Sequence, residues 1–370
     1  MRPVIYIRYL FYGFLATMAL AFAVTYIIDP YRIFLTPEIS GLNEKKSRAQ
    51  GEIFFNRMVG IKTVQPTTIL LGNSRVQWGM SARSQLWPQA LRPVYNAAIP
   101  GSNNQTAFAY LQYAIRTGNI KVAVLGLDYL SSLIKINAAA DKPVILGNYG
   151  PLLSTENSMA QTVKNYFLRI ASIDGLIDSF LTVFEQKNPY APDILPNGDN
   201  PLNEYKGYAT EKGYHRLFKN YLSGIKKRLG RKDRIFIQET DSSPEFEALK
   251  RLIDLAKNNN VKLYMFFHPY HSTLQDLITS VGRREEFDNW KRRILHIVQK
   301  RDNVELWDFS TRSELTSEAV PEAGDMTTRM NWYWEPGHYK NGLGEKIISN
   351  VFQNNLPYPD RPFGNKLYPK

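Results

Sequence analysis

Two short segments far apart in the chain carry the residue types of a serine nucleophile and its base. The segment LGNSRVQWGM presents Ser74 at a turn after an apolar run, and the later segment YWEPGHYKNG places Glu335 three residues before His338. A serine hydroxyl is a weak nucleophile at neutral pH and needs a base within reach, itself oriented by a carboxylate. The Pro-Gly pair would turn the carboxylate back onto the imidazole Nδ1 and leave Nε2 facing the serine. We predict a Ser74-His338-Glu335 triad.

Each motif also has a purely structural interpretation. The serine of a Gly-x-Ser sequence after a strand often only caps the next helix. A single Glu-x-x-His sequence also occurs in surface turns. The order of the two motifs along the chain favours the catalytic interpretation, because the Glu-His pair lies at the end of the same predicted sheet that begins with the serine.

Further polar candidates follow the apolar runs, at predicted strand ends where parallel sheets bind ligands. Arg75 offers a planar fork that fits a carboxylate or an acidic sugar, or a salt bridge within the fold. His268 and His271 are candidates for substrate or supporting contacts, with structural hydrogen bonding as the alternative. Their spacing, without nearby carboxylates, is poor for zinc, and we predict no metal and no cofactor. Trp334 is a candidate for stacking on sugar rings, or for the core.

The runs that precede these residues predict an α/β fold. Short continuous apolar segments alternate with helical patterns, as expected for parallel strands buried on both faces. The predicted strands lie within 67–74, 94–101, 121–129, 261–269 and 304–310, and the predicted helices within 103–118, 246–260, 284–300 and 341–353. We predict a three-layer α/β/α, flavodoxin-like domain around a central parallel sheet.

Residues 131–243 interrupt this alternation. Connections in α/β units are usually about 2–6 residues long, so this segment is predicted to be an insertion subdomain or lid. Helical patterns occur around 160–186 and 214–230. The predicted organisation is an anchor (1–30), a polar neck (31–65), a catalytic domain (66–130 and 244–358) with its insertion (131–243), and a C-terminal tail (359–370).

The first thirty residues predict a membrane anchor. The uncharged apolar segment Tyr9–Ile28 would form a helix about 30 Å long, the thickness of a bilayer's hydrocarbon core. Arg2 and Arg8 precede it, which favours a cytoplasmic N-terminus and an exported body. The alternative is a signal peptide cleaved after Ala21 or Ala23, although the apolar stretch continues beyond both sites. We predict a single-pass protein of the inner (cytoplasmic) membrane, with its catalytic domain in the periplasm or outside the cell.

Composition excludes several other classes. The 370 residues include no cysteine, which excludes disulfides, thiol nucleophiles and cysteine-ligated metals. The net charge of +12 is scattered along the chain, and with the anchor it argues against a nucleic-acid partner. The basic clusters at 226–234 and 291–293 are expected on solvated helix ends, or facing anionic lipid or polysaccharide.

Together these motifs resemble the SGNH (GDSL-like) hydrolase superfamily over roughly residues 66–130 and 245–353. Gly72-Asn73-Ser74 stands where that family has its Gly-Asp-Ser block, and Glu335-Pro336-Gly337-His338 stands where it has Asp-x-x-His. The anchor, together with VYNAAIPGSNNQ, VLGLDYL and FFHPYH, is similar to a membrane-anchored branch associated with envelope polysaccharide modification. That branch includes alginate acetylation proteins and relatives of the D-alanyl transfer protein of teichoic acid.

The resemblance implies where oxyanion donors should lie. The family draws them from the serine amide, from a glycine matched here by Gly101, and from an asparagine whose position Asp128 occupies. An ionised Asp128 would repel a developing oxyanion instead of donating to it. Asn103 is a further candidate, with the N-cap of the next helix as its alternative.

The resemblance also implies a function. It points to an SGNH-type acyl-transfer enzyme, an O-acetyltransferase or acetylesterase, whose substrate is an extracellular or envelope polysaccharide. A membrane-bound acyltransferase or a polysaccharide assembly complex is the implied membrane partner. Two alternatives stay open: a non-catalytic glycan-binding or scaffold subunit, and a plain carbohydrate esterase.

Overall fold

The computed structural model describes residues 3–135, 172–231, 235–237, 243–353 and 363–368, together with residues 164 and 167. The chain forms two compact units. The first contains the described residues within 1–59, 148–196 and 200–204, and the second contains those within 60–147, 197–199 and 205–370.

The described strands build one large sheet and two short antiparallel pairs, all in the second unit. They are β1 (Thr68–Leu71), β2 (Val94–Asn96), β3 (Val122–Leu127), β4 (Ile134–Lys135), β5 (Ile235–Phe236), β6 (Lys262–Phe267), β7 (Val304–Asp308), β8 (Tyr333–Glu335), β9 (His338–Tyr339) and β10 (Asn365–Tyr368). The central sheet has six strands in the order β10-β7-β6-β3-β1-β2. Its strands are parallel except β10, which pairs antiparallel with β7.

Ten α-helices lie within the described residues. They are α1 (Pro3–Ile28), α2 (Ile53–Val64), α3 (Ser74–Gly79), α4 (Asn104–Thr117), α5 (Ile173–Glu185), α6 (Asn203–Leu229), α7 (Pro244–Asn258), α8 (Ser272–Ser280), α9 (Arg284–Val298) and α10 (Asn341–Phe352). Short 3₁₀ turns occupy Ala49–Glu52, Gln89–Leu91 and Leu315–Ser317.

The core of the second unit lies on both faces of the sheet. Every residue of β1 and β3 is buried, and successive side chains of a strand point to opposite faces, so both faces are covered here. Helices α4 and α7 pack on each other and against strands, while α3 packs against α10. The predicted α/β fold with a central, mostly parallel sheet is confirmed.

The sheet and one hairpin together position the chemically interesting residues. Neighbouring parallel strands end at the same edge of the sheet, so the residues after β1, β3 and β6 lie close together. The hairpin of β8 and β9 pairs Glu335 with His338. Helix α3, which begins at Ser74, packs against β9 and brings the two motifs together.

The first unit contains the apolar helix α1. Residues Ile5–Ile28 are long and apolar enough to cross a membrane, with a mean hydropathy of 1.9. Helix α5 packs against α1 within this unit. The predicted anchor therefore has the length and composition of a single membrane span.

Several elements differ from the sequence pattern. Residues 365–368, which the pattern places in a tail, form the antiparallel edge strand β10. Helix α2 lies in the predicted neck, and it is buried around most of its circumference. Its sequence therefore lacks the amphipathic period that would have predicted a helix there. Apart from 164 and 167, residues 160–171 of the predicted 160–186 helix lie outside the described residues, and α5 begins at Ile173. Helix α6 consists of two helical segments that meet at Gly213, whose φ of +68° and ψ of 157° are not helical, and its second segment corresponds to the helix predicted around 214–230.

We expect Gly344→Ala to destabilise the fold. A Cβ at Gly344 in α10 would lie 1.8 Å from the carbonyl oxygen of Gly79 in α3, so the two helices would have to separate. Overpacking of this kind costs about 1–3 kcal/mol. Thermal unfolding of the full chain in detergent, followed by circular dichroism, measures the loss.

Gly224→Ala is the matched control for this prediction. Gly224 lies within α6 and a Cβ there meets nothing within 4 Å, so alanine should stabilise the helix by about 0.5–1 kcal/mol. Equal melting temperatures for Gly344→Ala and the wild type would contradict the close α3–α10 contact.

Candidate active site

Ser74 occupies the turn between a buried strand and a short helix. It is the first residue of α3, and Asn73 caps that helix by accepting a hydrogen bond from the Arg75 amide at 3.0 Å. Gly72 enables the turn, because its φ of +141° favours glycine and a Cβ there would lie 2.6 Å from Val76 Cγ2. The amide of Ser74 is among the first backbone donors of a helix, which have no acceptor within the helix.

The structure brings the three residues of the predicted triad together. Ser74 Oγ lies 2.7 Å from His338 Nε2, although 264 residues separate them in the chain. His338 Nδ1 is hydrogen-bonded to Glu335 Oε1. Glu335 is 3 % exposed, and its other oxygen accepts a hydrogen bond from the Gly337 amide at 3.3 Å.

This geometry suits one tautomer of the imidazole. With the Glu335 carboxylate as the acceptor, the hydrogen lies on Nδ1 of His338 and Nε2 offers a lone pair to the serine hydroxyl. The Pro-Gly turn shortens the loop so that one hairpin supplies both the base and the group that orients it. The arrangement can accept the proton of Ser74 as the serine attacks an electrophile.

Aromatic rings surround the imidazole. The Trp78 ring lies over His338 with centroids 4.1 Å apart, and the Tyr221 ring meets His338 edge-on at 6.0 Å. Tyr205 packs on Trp78 at 4.2 Å, and Tyr208 packs on Tyr205 at 5.7 Å. These contacts restrict rotation of the imidazole, and the run of rings ends at Tyr208, which is exposed.

Asp128 directly follows β3 and accepts hydrogen bonds from four groups of the protein. The donors are Asn73 Nδ2 at 2.9 Å, Arg75 Nη1 at 3.0 Å, the Ser131 amide at 2.9 Å, and the Tyr270 hydroxyl. Burial favours the neutral carboxyl, but Arg75 and the other partners hold the pKa of Asp128 below its usual range. The group is therefore a carboxylate that offers no hydrogen, so an oxyanion donor at Asp128 does not fit this structure.

Arg75 is likewise held inside the fold. Its side chain pairs with Asp128, and its Nη2 donates to the Tyr221 hydroxyl at 2.9 Å. Burial opposes the charge, but the Asp128 carboxylate outweighs that cost and raises the pKa of Arg75. Of the two interpretations of Arg75, the salt bridge within the fold is the one observed.

The loop of the other oxyanion candidates runs beside Gly72. The Ile99 amide and the Ser102 hydroxyl each donate to the Gly72 carbonyl at 3.0 Å. Gly101 lies in this turn with φ +72°, a conformation that favours glycine. Asn103 caps α4, its Oδ1 accepting from the Thr106 amide at 3.3 Å, which is the structural alternative predicted for it.

The two histidines after β6 have separate surroundings. His271 caps α8, accepting from the Thr273 amide at 3.2 Å, and its Nε2 donates to the Glu318 carbonyl at 2.8 Å. His268 is fully enclosed, with Nδ1 3.3 Å from the Tyr339 hydroxyl. Burial lowers the pKa of His268 to about 3 and also lowers that of His271. Both are neutral structural histidines, and no cluster of three or more metal-ligating side chains occurs in the described part of the chain.

Trp334 lies inside the unit instead of presenting its ring to solvent. It is 8 % exposed, and the Lys340 ammonium lies 4.5 Å from its ring. Lys340 also donates to the Tyr214 hydroxyl at 2.6 Å, and burial lowers the pKa of Lys340 to about 8. The predicted sugar-stacking role therefore does not fit Trp334, and the partly exposed run from Trp78 to Tyr208 has the better position.

Some residues around the triad are missing from the sequence predictions. Trp78 lies four residues after Ser74, a spacing that places both on one face of a helix. The sequence could therefore have predicted that Trp78 lies near the serine. Tyr205 and Tyr221 come from α6, within the predicted insertion, and no sequence pattern links them to the serine. Tyr270 follows β6 between the two histidines, and the burial of its hydroxyl against Asp128 gives no sequence signal.

Removing the buried carboxylate should cost far more than removing an exposed one. Asp128→Ala leaves the Arg75 guanidinium buried without its counterion, and breaking a buried pair in this way costs about 3–5 kcal/mol. Asp288→Ala is the matched control, because it breaks the exposed Arg284–Asp288 pair (2.8 Å), which should contribute less than about 1 kcal/mol. Urea unfolding of both full-chain variants in detergent measures the two losses, and similar losses would contradict the role of Asp128.

His268→Gln should reduce the acid sensitivity of the fold. The pKa of His268 is about 3 in the folded chain against 6.5 ordinarily, so between these values the unfolded state binds the extra proton. The stability contributed by neutral His268 is complete above about pH 6.5 and is lost as the pH falls towards 3, by at most about 1.4 kcal/mol per pH unit. Melting temperatures of both proteins between about pH 7 and pH 4 measure the slopes. Parallel curves would contradict the prediction.

Comparison with known proteins does not identify the site, so its chemistry is inferred from its geometry. No family model matches the chain, and no curated protein matches it at a significant level. The resemblance to SGNH hydrolases is therefore carried by the sequence motifs alone.

Proposed function

We propose that this chain is a membrane-anchored, exported acyl-transfer enzyme of the SGNH type. Its substrate is proposed to be the acyl groups, acetyl in our assignment, of an extracellular or envelope polysaccharide. The observation that carries the proposal is the 2.7 Å contact between Ser74 Oγ and His338 Nε2, with Glu335 bonded to the opposite ring nitrogen.

The proposed reaction has two steps. In the first, Ser74 Oγ attacks the acyl carbonyl, its proton passes to His338, and the leaving group departs with that proton. In the second, His338 removes a proton from an acceptor hydroxyl, which attacks the acyl-serine and regenerates Ser74. Transfer occurs when a sugar hydroxyl is the acceptor, and hydrolysis occurs when water is.

Backbone amides are the proposed donors to the oxyanion. The Ser74 amide at the start of α3 and the Gly101 amide in the adjacent turn are the two candidates. Preorganised donors of this kind typically contribute about 10²–10³ in rate each. Because Asp128 is an acceptor here, the proposed oxyanion site has no side-chain donor at position 128.

The aromatic run supports a sugar as the substrate. The rings of Trp78 and Tyr205 follow His338 in tilted contacts, and Tyr208 at the end of the run is exposed, with Lys212 Nζ 5.0 Å from its ring. Rings with a polar tip provide both an apolar face for the C–H groups of a pyranose and hydrogen bonds for its hydroxyls. The apolar helix α1, with Arg2 and Arg8 before its core, supports an anchor whose N-terminus is cytoplasmic.

A second candidate function is a non-catalytic glycan-binding subunit. The observation that favours it is the carboxylate of Asp128 at the position where the family has an oxyanion donor. Such a subunit would bind glycan at the same aromatic run without forming an acyl-serine.

Serine-directed labelling and turnover together test the proposal. Ser74→Ala and His338→Ala should each reduce acyl transfer or p-nitrophenyl acetate hydrolysis by roughly 10³-fold or more, because the nucleophile and base act as a unit. Glu335→Gln should lose roughly 10²–10⁴-fold by destabilising the imidazolium. A fluorophosphonate should label the wild type at Ser74 and leave Ser74→Ala unlabelled, as mass spectrometry of the labelled peptide would report.

Ser280→Ala is the control, since Ser280 is an exposed helix residue far from the triad in sequence. Full activity on polysaccharide in Ser74→Ala would contradict the proposal, whereas an unlabelled wild type that still binds glycan would favour the second candidate. The protein would be an esterase if it hydrolyses p-nitrophenyl acetate and an added sugar acceptor does not reduce the rate of hydrolysis.

A further inference from the structure

Helix α5 has its large apolar side chains outside and its small or polar ones inside. Gly175, Ser179 and Thr182 are buried, the last two with no exposed surface. The exposed apolar stripe consists of Ile173, Ile177, Phe180, Leu181 and Phe184, with Ile173 and Phe184 78 % and 79 % exposed. A helix on the surface of a water-soluble domain has the opposite pattern.

The stripe forms one continuous face of the helix. At 3.6 residues per turn its five positions fall within an arc of roughly 100°, and the buried positions lie on the opposite side. Small residues on the buried side of a helix are typical of helices that pack closely within a membrane. Helix α5 thus has the composition of a helix whose outer surroundings are apolar.

The inner side of α5 is held firmly, so the stripe cannot turn inward. Gln186, at its C-terminal end, exchanges hydrogen bonds with the backbone of Lys45 at 2.9 and 2.8 Å. Arg48 pairs with Glu185 at 2.7 Å, and Asp178 accepts a hydrogen bond from the Tyr31 hydroxyl at 2.7 Å. These contacts fix the helix to the segment that follows α1.

The apolar stripe continues the surface of the membrane-spanning helix. Helix α5 packs against α1, and residues 5–17 of α1 are all exposed, so the contact lies on the C-terminal part of α1. Around that part, Phe22, Tyr26 and Ile27 are exposed as well. With 13 residues, α5 is about 20 Å long, too short to cross a hydrocarbon core of about 30 Å.

We propose that α5 is a second membrane-contacting element, lying in the interfacial layer beside the C-terminal end of α1. Its five-residue stripe contacts the acyl chains of the leaflet that surrounds that end. Arg48 and Lys45, on the polar side, lie at the level of the lipid headgroups. The occupant is lipid because the stripe extends an apolar surface that is already proposed to face lipid, and this inference does not depend on the acyl-transfer proposal.

The cysteine-free sequence allows a direct test. Single cysteines at Ile177, Phe180 and Phe184 in the full chain are labelled with a nitroxide, and the protein is reconstituted into vesicles of phosphatidylethanolamine and phosphatidylglycerol. Electron paramagnetic resonance then compares collisions with oxygen, which concentrates in the bilayer, and with the water-soluble reagent NiEDDA. The three stripe labels should lose NiEDDA access and gain oxygen access, as a label at Phe22 in α1 should.

A label at Asn258, an exposed residue of α7, is the matched water-facing control. Stripe labels that collide with NiEDDA as often as the Asn258 label would overturn the proposal. Labels shielded from both reagents would also overturn it, since protein and not lipid would then cover the stripe. The melting temperature of each labelled variant, compared with that of the unlabelled chain, verifies that the fold is retained.

Discussion

The buried ion pair of Asp128 and Arg75 is the interaction on which the geometry around the serine depends. Asp128 follows β3, whereas Arg75 and Asn73 flank Ser74 on the neighbouring β1 connection, so the carboxylate joins both sides of the nucleophile to the sheet. A buried pair is costly to desolvate and costly to break. The carboxylate makes the start of α3 rigid because its oxygens also accept from Tyr270 and Ser131. A serine hydroxyl held in this way can keep a hydrogen bond to a histidine on a separate hairpin.

The alternation of strands and helices was predictable because burial on both faces produces continuous apolar runs. The five parallel strands of the sheet lie within the predicted segments, and Ser74, Glu335 and His338 follow from chemical type, spacing and position at strand ends. Strand β10 was not predictable, since an antiparallel edge strand of four residues in a polar tail has no apolar run. Helix α2 was not predictable either, because a helix buried on most sides loses its amphipathic period.

The roles of the polar neighbours depend on contacts that sequence does not carry. Asn73 and Asp128 each depart from the resembled family, which has aspartate in the first position and asparagine in the second. In the structure these two residues are hydrogen-bonded to each other, with Asn73 Nδ2 donating to Asp128 at 2.9 Å. Considered singly, Asp128 resembles a defective oxyanion donor. Considered with Asn73 and Arg75, it is an acceptor that orders the turn.

The segment between residues 131 and 243 illustrates why a hydrophobic pattern alone cannot assign a role. Helices α5 and α6 both carry aromatic residues at helical spacing, and each would be interpreted as packing that face into a core. In α6 three tyrosines pack around the triad: Tyr205 on Trp78, Tyr221 on Arg75 and Tyr214 on Lys340. In α5 the small residues pack and the phenylalanines face outward, which is the arrangement expected if lipid surrounds α1 and α5 as we propose. Which face of a helix is buried therefore depends on the medium around the helix. The periodic pattern of α5 indicates that medium only when it is considered together with the neighbouring helix α1.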